Sequence, residues 1–251
     1  MSLLLCGSAG AYRILMLGNS TIETDYLDIK DRPQTKLKEK LEKAFPGTEF
    51  TVINAAMSGE AIGPEGENKV KLIEADVDGM KVFSRYDQVL RVHKTADMII
   101  FRYGVSDHPE SLKGLCDKLK KDYPGAVLIA ESGMYADKEH CLDWDKKEAR
   151  SVKNSDEIKK FSESYGCYFA DVREAMKKAA DAGNWDLRIR SDKIPSGQKI
   201  TLDGSKDAEH MNDKDKSWWE NMHPNARGVD VITDLECGVI KQILTEKNIV
   251  K

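Results

Sequence analysis

A chain of 251 residues, 40% hydrophobic and 33% charged, has the makeup of a globular protein with one large core. Its 39 basic and 43 acidic residues leave a net charge of only -4, which gives no electrostatic reason to expect nucleic acid as a partner. No apolar run approaches the roughly 20 residues of a membrane span, and Leu3-Leu4-Leu5 is too short for a signal-peptide core. The five cysteines, Cys6, Cys116, Cys141, Cys167 and Cys237, are scattered, odd in number and free of any Cys-x-x-Cys pair. They read as buried thiols in a reducing compartment, so a cytoplasmic address is expected.

The chain opens with Arg13 to Leu17, an apolar run that reads as a buried parallel strand and leads straight into Gly18-Asn19-Ser20-Thr21. A polar loop follows. Leu37, Leu41 and Ala44 then recur at helical spacing, predicting an amphipathic helix over Thr35 to Phe45 that Pro46-Gly47 closes. The β-branched run Glu49 to Asn54 predicts a second strand, followed by the small-residue loop Ala55 to Glu60. Lys69 to Arg91 reads as partly helical, interrupted at Asp76, Asp78 and Gly79. Asp97 to Tyr103 predicts a third strand, ending in Gly104-Val105-Ser106-Asp107. A helix over Ser111 to Tyr123 and a fourth strand over Ala126 to Glu131 come next. The charged stretch Met134 to Arg150 reads as a loop over the sheet edge. It is followed by a helix over Ser155 to Tyr165, a fifth strand over Cys167 to Asp171 and a helix over Val172 to Ala182. Gly183 to Ser217 is polar and reads as an irregular excursion. The last helix, about Asn225 to Lys247, carries Ile232, Leu235, Val239, Ile240, Ile243 and Leu244 on one stripe.

Strands alternating with helices predict an α/β protein, a three-layer α/β/α sandwich on a parallel sheet, because parallel neighbours need crossover helices and these cover both faces. A single domain over residues 1–251 is expected. In such sheets the sites lie at the carboxyl ends of the strands. Ser20 lands there, which makes it the candidate nucleophile; a serine hydroxyl needs a histidine base, a carboxylate to orient it and donors for an oxyanion. Glu220-Asn221-Met222-His223, just before the last helix, offers the base and a carboxylate three residues apart. His93, His108, His140 and His210 have no comparable neighbours and read as surface residues.

These blocks resemble those of the SGNH (GDSL-type) hydrolases: a Gly-Asp-Ser turn, an isolated glycine, a Gly-x-Asn-Asp segment and a terminal Asp-x-x-His. The corresponding residues are Gly18-Asn19-Ser20, Gly59, Gly104-Val105-Ser106-Asp107 and Glu220-Asn221-Met222-His223, in family order across nearly the whole chain. The resemblance implies a flavodoxin-like five-stranded sheet and hydrolysis of a small ester, including acetyl groups on sugars. It implies Ser20 as nucleophile, His223 as general base and then acid, and Glu220 as its orienting carboxylate. The oxyanion donors would be the Ser20 and Gly59 amides and the Ser106 hydroxyl. Asn19, Asp107 and Trp219 are carried as residues beside the substrate. No metal and no organic cofactor is implied, and neither a Gly-x-Gly-x-x-Gly nor a phosphate-loop signature occurs.

Three departures bear on activity. Asn19 and Glu220 each stand where the family has aspartate, and Ser106 stands where it has asparagine. A serine hydroxyl is shorter and free to rotate, and losing one oxyanion donor costs roughly a hundred- to a thousandfold in a serine protease. A second reading is therefore a weak or inactive member that binds a carbohydrate or acyl ligand, and a third is a flavodoxin-like small-molecule binder. Residue by residue the plainer roles also stand: Ser20 as a helix cap, Gly59 and Gly104 as turn glycines, Trp218 and Trp219 as core aromatics. Asp203, Asp207, Glu209, Asp213 and Asp215 lack the spacing of a calcium loop and read as a solvated stretch.

Overall fold

The computed structural model describes residues 11–58, 75–77, 80–82, 85–103, 109–135, 144–184, 187–190 and 220–247. In chain order the elements are β1 (Tyr12–Gly18), α1 (Ser20–Glu23), a one-turn 3-10 helix (Ile29–Asp31), α2 (Pro33–Ala44), β2 (Phe50–Asn54), β3 (Ala75–Val77), β4 (Met80–Val82), α3 (Arg85–Val92) and β5 (Met98–Arg102). They continue with α4 (Pro109–Asp122), β6 (Val127–Glu131), α5 (Trp144–Tyr165), β7 (Tyr168–Ala170), α6 (Val172–Asp181), β8 (Arg188–Arg190), β9 (Glu220–Pro224) and α7 (Ala226–Glu246).

The five expected strands pair in the order β2-β1-β5-β6-β7, every pair parallel. Side chains alternate across the sheet, so β1 feeds two cores at once. Ile14 and Met16 pack with Leu37 and Leu41 of α2 and Ile240, Ile243 and Leu244 of α7. Leu15 and Leu17 pack with Val89 of α3, Leu115 and Leu119 of α4 and Ile158 and Phe161 of α5. This is the three-layer α/β/α sandwich. Burial on both faces is what makes β1, β5 and β6 continuous apolar runs in the sequence. The chain leaves β1 for one side of the sheet and returns through β5 on the other. The β1/β5 gap at the carboxyl edge is thus the topological switch point, where such folds place ligands.

Four segments differ from the sequence expectation. Among the described residues of Lys69 to Arg91, the helix α3 begins only at Arg85, and before it β3 and β4 form an antiparallel pair with Val77 opposite Met80. Helix α5 begins at Trp144, eleven residues before the expected start at Ser155. Its buried face is polar there, with Ser151 donating to the Met134 carbonyl (3.0 Å), Asn154 accepting from the Gly133 amide (3.3 Å) and Ser155 donating to Asp171 (3.1 Å), so no apolar stripe marks it. Inside the expected excursion after Gly183, β8 pairs antiparallel with β9. The loop expected after β1 opens with the short helix α1.

Gly228 shows how tightly this last layer is set. A Cβ there would lie 2.0 Å from the Leu187 carbonyl oxygen and 3.1 Å from Pro224 Cβ. Gly228→Ala is expected to destabilise the fold by ~1–3 kcal/mol through overpacking, read as a lower urea midpoint at unchanged slope.

Candidate active site

Strand β1 delivers its last residue, Gly18, opposite Arg102 of β5, and the chain then turns into α1. Asn19 caps that helix: its Oδ1 accepts from the Thr21 amide at 3.1 Å and from Thr21 Oγ1 at 2.9 Å. The capping role therefore belongs to Asn19. Ser20 is the first helical residue, and its hydroxyl points elsewhere. Helix α1 ends at Thr24, whose φ of 46° lies in the left-handed region. A β-branched residue held there costs about 1–3 kcal/mol and persists only where its surroundings dictate it.

The Ser20 hydroxyl meets His223, with Oγ 2.8 Å from Nε2 across 203 residues of sequence. His223 lies in β9 and is 7% exposed. Its ring packs T-shaped against Tyr26, with centroids 5.8 Å apart at 82°, and Tyr26 OH donates to the Pro224 carbonyl at 2.8 Å. Asn225 fastens the next residue along. Its amide donates to the Leu187 carbonyl (3.0 Å), its Nδ2 to the Arg188 carbonyl (2.9 Å), and its Oδ1 accepts from Gly228 N at the start of α7. The imidazole is thus held by β8, β9 and α7 together.

Burial, followed by the charge of Arg188, lowers the His223 pKa to about 4, against a smaller opposite pull from Asp25. The ring is neutral at neutral pH and able to accept the Ser20 proton; with Nε2 as acceptor, its own proton sits on Nδ1. Rates that depend on this base should be flat above pH ~5 and fall as pH drops through about 4, as a pH–rate profile will show. Stability should follow the same sign. Between the ordinary histidine value of 6.5 and about 4, the unfolded chain takes up a proton that the folded chain refuses. The site's contribution is therefore full above 6.5 and lost as pH falls toward 4.

Ser20 and His223, predicted as a pair, are brought together. Glu220 opens β9 three residues before His223, and its side chain lies outside the described residues. Gly59, Ser106, Asp107 and Trp219 also lie outside them. Asn19, carried as a substrate neighbour, has its side-chain oxygen engaged within the turn. Sequence reasoning missed Tyr26, Arg188 and Arg102. Tyr26 and Arg188 sit in stretches without periodicity; Arg102 left a signal, a charge closing an otherwise apolar strand. Among the described residues no group of three or more His, Cys, Asp or Glu side chains could hold a metal. No described helix is long and apolar enough to cross a membrane.

No protein-family model matches the chain, and no curated protein matches its sequence. Solved structures do match over nearly full length. Axe2, an acetylxylan esterase from Geobacillus stearothermophilus, aligns over 92% of this chain and 95% of its own at a TM-score of 0.57 and 12% identity. A carbohydrate acetylesterase family member from Sinorhizobium meliloti aligns over 93% and 99% at 0.56 and 14%. LAE5, an α/β hydrolase from the metagenome of Lake Arreo, Spain, aligns over 92% and 97% at 0.60 and 15%. The chain shares the fold of these hydrolases. Within that fold, the Ser20–His223 contact lies at the carboxyl edge of the first strand, where β1 hands the chain to α1.

Proposed function

We propose that the chain is a serine esterase of the SGNH type, removing a small acyl group, acetyl in the first instance, from a carbohydrate or similar alcohol. The observation that carries this is the 2.8 Å contact between Ser20 Oγ and Nε2 of the buried His223. The likeness to acetylesterases that act on sugars supports the substrate class.

In this mechanism His223 Nε2 takes the Ser20 proton as Oγ attacks the ester carbonyl. Glu220 is assigned to Nδ1, where a carboxylate would hold the ring's orientation and tautomer and stabilise the imidazolium as it forms. The oxyanion is assigned to the amides of Ser20 and Gly59 and the hydroxyl of Ser106. The imidazolium then protonates the departing alcohol, and water, activated by the same imidazole, resolves the acyl-enzyme.

A fluorophosphonate tests this without assuming a natural substrate, because it reacts only with an activated serine. The native protein should gain the mass of one adduct, lost or strongly slowed in His223→Ala, and should release acetate from acetylated xylooligosaccharides. Ser106 motivates the second reading, a ligand-binding member with little turnover. That reading predicts ligand binding without adduct formation, and a gain of turnover in Ser106→Asn.

A further inference from the structure

Behind the Ser20 turn lies a buried ionic cluster that this mechanism does not use. Arg102 at the end of β5, Glu131 at the end of β6 and Glu236 in α7 are 3%, 1% and 1% exposed. Arg102 Nη1 lies 3.4 Å from Glu131 Oε2. The other arm of the guanidinium reaches the turn, with Nη2 donating to the Thr21 carbonyl at 2.9 Å and Nε to Thr21 Oγ1 at 3.3 Å. Thr21 Oγ1 in turn donates to Asn19 Oδ1 at 2.9 Å. A four-residue helix has no later turn to satisfy its carbonyls, so they depend on side chains. Arg102 serves Thr21, and Asn54 Nδ2 serves Ile22 at 2.7 Å.

We infer that Arg102, Glu131 and Glu236 form a buried clamp, and that this clamp fixes the Ser20 turn through Thr21. Arg102 is thus a positioning residue acting through another, and the assignment rests on the reading of Ser20 as nucleophile. One guanidinium faces two carboxyls at a site without water access, and leaving both ionised would bury an unbalanced negative charge. Burial raises both carboxyls above the usual range, Glu236 well above it because the neighbouring charge of Glu131 adds to the rise, and the Arg102 charge opposes the rise at each. Glu236 is the carboxyl pushed further toward its neutral form. The remaining cation acting on Glu236 is Lys40 of α2, whose ammonium is bonded to Asp234 at the outer side of α7 and to the Asp230 carbonyl. The strained backbone at Thr24 is the reason a clamp is needed, since an unsupported α1 would relax and carry Ser20 away from His223.

The test compares the native protein with Arg102→Lys, Glu236→Gln and the double variant Glu131→Gln/Glu236→Gln. Deuterium exchange is read at the peptide spanning Gly18 to Thr24, alongside the rate of fluorophosphonate labelling. Glu236→Gln retains a carboxylate for the guanidinium and is expected to stay within about twofold of native in both readouts. The double variant leaves the guanidinium unbalanced, and Arg102→Lys keeps the charge without the two-pronged contact to Thr21. Both are expected to speed exchange in this peptide by about tenfold or more and to slow labelling by a similar factor, because small misplacement of a reacting group is costly. Exchange at native rate in Arg102→Lys and the double variant overturns the clamp. So does a rise spread evenly over β5, β6 and α7, or a Glu236→Gln variant as impaired as the double. If the native protein takes no label, the esterase reading falls, and the exchange results still decide the clamp by the same criteria.

Discussion

Ser20→Ala is expected to take up no fluorophosphonate and to lower ester turnover by roughly a millionfold, the order seen when a triad serine is removed. Alanine deletes the oxygen that lies 2.8 Å from His223 Nε2 and leaves the rest of the turn alone. Asn19, not Ser20, caps α1, so the helix keeps its cap and the melting temperature should change little. That combination separates a chemical loss from a folding loss. Intact mass after exposure to the probe, with melting curves beside it, makes the check. An adduct that persists in Ser20→Ala would move the nucleophile to another residue and remove the basis of the proposed mechanism.

Gly18→Ala is expected to have the largest effect on folding, about 3 kcal/mol or more, toward the upper end for overpacked cores. A Cβ at residue 18 would sit 2.3 Å from the backbone oxygen of Arg102 and 2.8 Å from Ile22 Cδ1. Neither neighbour can give way cheaply: the oxygen belongs to a central strand, and Ile22 is fully buried. The strain falls two residues before Ser20 and on the residue that also anchors Thr21, so activity should drop even in whatever fraction folds. Urea unfolding followed by circular dichroism measures the first effect. A midpoint within a few tenths of molar of native would show that β1 and β5 part more easily than their register suggests.

The three inner strands were legible because burial on both faces writes them as unbroken apolar runs, and the half-buried edge strands β2 and β7 because β-branched or aromatic residues fill them between plain turn residues. Ser20 and His223 were legible because a strand-end hydroxyl and a histidine before the last helix keep a recognisable spacing. What escaped notice was polar or local. The first half of α5 buries serines and an asparagine, β3 and β4 are three residues each, and α1 is a single turn. The Arg102–Glu131–Glu236 cluster escaped for a different reason. Each member closes or interrupts an apolar pattern, and only the register of β5 against β6 and the packing of α7 bring the three charges together. Glu236 was the readable sign, since it falls on the same helical face as Ile232 and Ile240.

The serine and the histidine that meet at 2.8 Å are separated by 203 residues, nearly the length of the chain. At the ribosome, the serine emerges early and its partner base late; at ~5–20 residues per second the interval is of order ten to forty seconds. On the proposed mechanism, a nascent chain carries an ordinary, unreactive hydroxyl until β9 and α7 dock. Appearance of serine reactivity in a translation time course would therefore report the closing step of folding itself.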